Sequence, residues 1–153
     1  VSVFAQGPTH LVLDVNGYFA PPGGPSAQRF YPLPPCRVLD TRFAMGQGGQ
    51  GLSINSLSQG ETRILPVTLS NCGLPSFAVC YSLNATAATS WTLGYMTLWP
   101  TGQQQPFVST LNAIDDRVVA NAALLATGER GQISVYVTDY SSLILDTNGF
   151  FAP

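Results

Sequence analysis

Three cysteines, one histidine, eight carboxylates and sixteen aromatic residues are the side chains with which this 153-residue sequence could do chemistry. A zinc site needs clustered thiolates or imidazoles, and the chain has neither a C-x-x-C nor a second His. His10 is the only side chain whose ordinary pKa lies near neutrality, and Asp14 follows four residues later. Serines are plentiful, but no G-x-S-x-G turn presents one as a nucleophile. The pair Asp115-Asp116 and the two D-x-N-G segments (from Asp14 and from Asp146) offer oxygens to calcium, at a carboxylate density below that of a dedicated loop. Asn-Gly after a strand more simply marks a turn or bulge. Gly46–Gly51 matches G-x-G-x-x-G, yet the helix that would hold a pyrophosphate is missing, because Leu52-Ser53-Ile54-Asn55-Ser56 follows. That segment reads as a surface loop. No catalytic set, metal or cofactor is expected.

The aromatic residues offer a different chemistry. Trp91, Tyr95 and Trp99 fall within nine positions, and on a strand Tyr95 and Trp99 share a face, as in platforms that stack sugar rings. The competing reading is a pair of core or interface aromatics. Asn84-Ala85-Thr86 is an N-glycosylation sequon, although Asn84, Asn112 and Asn121 read first as structural hydrogen-bonding residues.

Only 14 residues are charged and all six cations are Arg, whereas Ser, Thr, Asn and Gln number 42. Such a surface is polar without being ionic. It lacks the basic clusters that a nucleic-acid binder needs, and 45% hydrophobic residues set it apart from a charged disordered chain. No apolar run approaches the length of a membrane span. The opening run Val1-Ser2-Val3-Phe4-Ala5 is strand-like, with no initiator Met or export signal. The expectation is a mature or excised piece of a secreted protein.

The strongest pattern is a repeat. Residues 1–21, VSVFAQGPTHLVLDVNGYFAP, align without a gap on residues 133–153, ISVYVTDYSSLILDTNGFFAP, at an offset of 132, with ten identities. Ser142 stands where the first copy has His10, so a catalytic role for His10 would be confined to a fragment. Three arrangements fit. The chain is cut from a tandem array, residues 1–21 being the last two strands of a preceding unit. Or residues 1–21 are a donor segment that extends the sheet of a neighbouring subunit. Or both copies pack within one domain as a pseudo-symmetric pair. In the first two, Val1, Val3, Leu11, Leu13, Tyr18 and Phe19 face another unit. A Pro/Gly spacer over 22–29 separates this segment from a domain over 30–153.

Period-two alternation dominates that domain. Phe77, Val79, Tyr81, Leu83 and Ala85 alternate with smaller or polar residues, as do Leu65, Val67 and Leu69, and Ile133, Val135 and Val137. Further strands are expected over Arg37–Thr41, Gly94–Trp99, Phe107–Asn112, Val118–Leu125 and Leu143–Asp146. Turn signals fall at Gly73-Leu74-Pro75, Pro100-Thr101-Gly102, Asp115-Asp116, Gly128–Gly131 and Asn148-Gly149. Val118–Ala126, rich in Ala and Leu, is the one segment that pattern leaves open between strand and helix. The fold class is all-β, a sandwich of about 8–10 short strands.

Several blocks together carry a resemblance: Pro35-Cys36-Arg37-Val38-Leu39-Asp40-Thr41-Arg42, Cys72-Gly73-Leu74-Pro75, Tyr81–Thr86, Gly94–Gly102, Ser109–Asn112, Ala120-Asn121-Ala122 and Leu145–Phe151. The chain resembles, over nearly all of 30–153, a repeated domain of secreted and often very long proteins of acidobacteria and other soil bacteria. The resemblance implies an extracellular β-domain used as a repeated or appended module, with no catalytic residues to carry over. Cys80 departs from it, standing where a small apolar residue is usual. Cys36 and Cys72 sit in the shared blocks at loop positions beside prolines, and they are the expected disulfide, a link that stabilises by about 4 kcal/mol. Cys80 is left as a buried thiol or an intermolecular bridge. Asp40 and Arg42 are each expected to serve in a buried or half-buried Arg–carboxylate clamp.

These readings lead to a non-enzymatic structural module of an extracellular fibre, filament or cell-surface stalk. It would assemble end to end by tandem repetition or strand donation, with copies of itself or adjacent repeats as partners. The alternative is a carbohydrate-binding or adhesive module, with glycans as partners. An enzyme is the third class. Neither nucleic acid nor a membrane span is expected.

Overall fold

The computed structural model describes residues 3, 4, 6–8, 11, 15, 18–21, 23, 24, 27–43 and 51–153. Among them are nine strands: β1 (Arg29–Asp40), β2 (Leu52–Ser53), β3 (Thr62–Leu65), β4 (Cys80–Ala88), β5 (Leu93–Pro100), β6 (Leu111–Ala113), β7 (Val119–Ala126), β8 (Ile133–Val137) and β9 (Ser142–Ala152). They form a five-stranded sheet, β2-β1-β9-β4-β7, and a four-stranded sheet, β3-β8-β5-β6. The pairings are antiparallel except for β1 with β2. The protein is an all-β sandwich.

Alternation explains the layers. On β4, Tyr81, Leu83, Ala85 and Ala87 are buried, while Ser82, Asn84 and Thr86 point outward. They meet Met96 and Leu98 of β5 and Ile133, Val135 and Val137 of β8 in one core. Tyr81 is fully buried and its hydroxyl lies 3.0 Å from the carbonyls of both Pro75 and Gly131, so it can donate to either. Burial pushes its pKa up to about 12. Residues 119–126 are strand, because β4 supplies a ladder along their whole length.

Four segments differ from the pattern reading. The alternation at 65–69 breaks because Pro66 has no N–H to give a ladder; Val67–Leu69 is a 3-10 turn and Leu69 is exposed. Phe77 and Val79 precede β4 and are largely exposed. Phe107 and Val108 lie in a loop, and only Leu111–Ala113 pairs there. Asn148-Gly149 is not a turn but a bulge inside β9, where the register with β4 shifts between Ser82 and Leu83.

Gly149 permits that bulge to sit against β1. A Cβ there would lie 2.5 Å from the Tyr31 carbonyl oxygen and 2.5 Å from Phe30 Cζ. The carbonyl belongs to the paired strand and cannot withdraw alone. Gly149→Ala is therefore expected to lower the unfolding free energy by about 2 kcal/mol in denaturant titration. An unchanged midpoint would mean that the bulge relaxes freely.

Candidate functional site

The sequence brings a group of exposed aromatic side chains to one end of the sandwich. There β1 begins and β9 ends, Arg29 pairing with Ala152 and Phe30 with Phe151. Tyr31 stacks on Phe150 at 5.2 Å, Phe30 lies 5.1 Å from Phe151, and Phe77 meets Phe150 edge-on at 6.3 Å. The Tyr31 hydroxyl donates to the Pro153 carbonyl at 3.1 Å. Such tilted and stacked pairs hold the rings in place, but Phe30, Tyr31 and Phe77 all remain substantially exposed.

The N-terminal copy of β8–β9 reaches this end. Phe19 lies 6.1 Å from Phe151, its own counterpart in the repeat. Yet Val3, Leu11, Tyr18 and Phe19 are 58%, 56%, 89% and 82% exposed. The counterparts of the first three, Val135, Leu143 and Phe150, are 0%, 0% and 9% exposed, whereas Phe151, the counterpart of Phe19, is half-buried. The same residues that build the core in one copy are left in water in the other. Val1 and Leu13, and the candidate pair His10 and Asp14, lie outside the described residues, as do the loop positions 46–50. No helix among the described residues is long and apolar enough to cross a membrane.

Toward the opposite end of β1, charge is concentrated on one clamp. Asp40 at the end of β1 is 1% exposed. Its carboxylate accepts from Arg42 Nε at 2.9 Å, Arg42 Nη2 at 2.7 Å, the Arg42 backbone N–H at 3.1 Å and Arg37 Nη1 at 3.1 Å. Arg37 Nε also donates to Asp146 of β9 at 2.6 Å. The Arg42 hydrogen bonds hold the Asp40 pKa below the usual carboxylate range. The expected clamp is present, and pattern alone did not reveal its link to Asp146, 109 residues from Arg37.

Cys36 and Cys72 form the expected disulfide. Cys80 is a half-buried free thiol whose pKa is raised by burial, which disfavours the reactive thiolate. No family, curated protein or solved structure matches the chain.

The two aromatic candidates separate. Thr97 and Trp99 of β5 lie beneath the loop 101–110, which folds back over the strand. Thr97 Oγ1 donates to the Val108 carbonyl at 2.7 Å, and the indole N–H of Trp99 donates to the Gln103 carbonyl at 3.0 Å. Trp99 is 6% exposed and cannot stack a sugar, because its own loop covers it. Tyr95 is not roofed by the loop; it packs its ring 5.6 Å from Tyr136 and, with residues 104–109 of the loop, lines a cleft of about 550 Å³. Asn84 is exposed on the outer face of β4, with Nδ2 donating to Thr86 Oγ1 at 3.4 Å. Asn112 and Asn121 are hydrogen-bonding residues, donating to the carbonyls of Gly94 at 2.7 Å and Thr110 at 2.8 Å. Among the described residues no group of three or more His, Cys, Asp or Glu is placed to hold a metal ion.

Proposed function

We propose that this chain is a non-enzymatic structural module of an extracellular fibre or surface stalk, joined to copies of itself through residues 1–21. The observation that carries the reading is the contrast in burial between the two copies of one strand pair, Leu11 and Tyr18 in water against Leu143 and Phe150 in the core. Apolar surface of that extent favours a partner. Asp14 keeps the carboxylate that, as Asp146, pairs with Arg37 within the unit, so the segment retains the chemistry of a strand that lies beside a β1. A disulfide persists outside the reducing cytosol, which suits an exported module.

The pairing of Arg29 with Ala152 shapes the assembly. The chain would enter and leave each unit at the same end of the sandwich. In a tandem array, short spacers would then gather those ends along a stem, with the sandwiches hanging outward. An axial fibre needs strand donation between units instead.

Purified protein sized by light scattering and imaged by electron microscopy tests the reading. Concentration-dependent oligomers or filaments are expected for the wild type. The pair Tyr18→Ser and Phe19→Ser should give monomers with an unchanged melting temperature, because both side chains lie outside the sandwich core. A wild type that stays monomeric at high concentration would overturn the proposal.

A further inference from the structure

We propose that the cleft beside Tyr95 is a binding site for a neutral saccharide. It opens on the outer face of the four-stranded sheet, away from the aromatic end at which residues 1–21 arrive. Tyr95 and Phe107 supply aromatic carbon, and Gln104, Gln105, Ser109 and Asn112 supply amides and a hydroxyl. Among the described residues no charged side chain lines it. Its volume of about 550 Å³ falls within the range of small-ligand sites.

The walls are fixed before any ligand arrives. Besides the bonds from Trp99 and Thr97, the Thr110 N–H donates to the Met96 carbonyl at 2.7 Å, and Thr110 Oγ1 accepts from the Leu98 N–H at 2.9 Å. Asn112 is held between Gly94, to whose carbonyl it donates, and Ser109 Oγ, from which its Oδ1 accepts at 2.9 Å. The Tyr136 ring backs Tyr95. A site held this way avoids part of the ordering cost of binding.

Two features select the ligand. Phe107 is 104% exposed on this pinned loop, an apolar group left in water. Beside it, the carboxamides of Gln104 and Gln105 make no hydrogen bond with any other described residue. A purely apolar partner would bury those amides unsatisfied, at a cost that offsets its own gain. A peptide strand cannot add to β5, which is already paired on both sides by β8 and β6. A sugar ring meets both demands, offering C–H groups to the aromatic side chains and vicinal hydroxyls to the amides. With no cation among the described lining residues, uronic acids and phosphorylated glycans are disfavoured.

Saturation-transfer NMR on the intact chain, with cellobiose, maltose and diacetylchitobiose as neutral probes and digalacturonate as the anionic one, tests the site. Transfer to at least one neutral disaccharide is expected at about 10 mM, with none to digalacturonate. Phe107→Ala and Gln105→Ala should each weaken binding about tenfold without moving the melting temperature, while Trp91→Ala, on exposed residue 91 outside the cleft, should leave it unchanged. Silence from all three neutral probes, binding indifferent to Phe107→Ala, or stronger binding of digalacturonate would each overturn the assignment. So would a loss of self-association, in place of sugar binding, in Phe107→Ala.

Discussion

Replacing Cys36 and Cys72 together by Ala is expected to lower the unfolding free energy by about 4 kcal/mol. The bridge spans 36 positions of chain, so cutting it returns a loop of that length to the unfolded ensemble. A native-state reason acts in the same direction. β1 carries Pro32, Pro34 and Pro35, none of which can donate to a ladder, and its register with β9 breaks between Pro32 and Cys36. Pairing resumes at Cys36, opposite Thr147. The disulfide therefore ties the strand down where backbone hydrogen bonding is thinnest. Domains of this size are stable by only about 5–15 kcal/mol, so a loss of this size takes a large share. The melting temperature should fall by about 10 °C, and dithiothreitol should reproduce the effect in the wild type but not in the double variant. A drop below about 1 kcal/mol would show that β1 is held by its proline-free stretch alone.

The parts of this fold that depend on local pattern are the parts that can be read from the chain. Tyr81, Leu83 and Ala85 announce β4 because the period of a half-buried strand is written into every second residue. The turn expected at Asn148-Gly149 fails for a different reason. The dipeptide asks for a special backbone, and a bulge satisfies it as well as a hairpin does; the choice is made by Phe30 and Tyr31, far away in sequence. Trp99 is the same kind of case. Its strand face is legible, but the loop that roofs it is positioned by the hydrogen bonds of Thr97, Trp99 and Thr110, which no periodicity records. Phe107 looks like part of a strand and is instead the most exposed ring of that loop. The Cys36–Cys72 pair was reachable only through resemblance, since three cysteines allow three pairings. The repeat at residues 1–21 is plain from the letters, but the exposure of its described residues, on which the proposed assembly rests, is set by tertiary packing that no letter records.

Asp40→Ala is expected to cost about 2–3 kcal/mol and to flatten the acid limb of the stability curve. Breaking a fully buried ion pair costs about 3–5 kcal/mol because the surviving charge is stranded. Here the carboxylate is almost completely buried, but the side chains of Arg37 and Arg42 keep 30% and 44% of their exposure and can recover water. The cost is discounted accordingly. Asp40→Asn keeps the shape and one acceptor and should cost less than Asp40→Ala. The pH dependence follows from the direction of the shift. The hydrogen bonds from Arg42 depress the folded-state pKa below its ordinary value of 3.8, so the unfolded chain takes up the proton first as pH falls. Stability from the clamp is therefore fully present above about pH 4 and is lost as the pH drops through the folded value. Asp139, whose pKa is also lowered, by Thr138 and the Gly94 N–H, contributes to the acid limb as well. It does so equally in both proteins, so the difference between wild type and Asp40→Ala isolates the clamp. Denaturant titrations at pH 7 and at several points below pH 4 should show the two stabilities converging in acid. Curves that stay parallel would mean that Asp40 is held by its backbone contacts, and that its charge adds nothing to the fold.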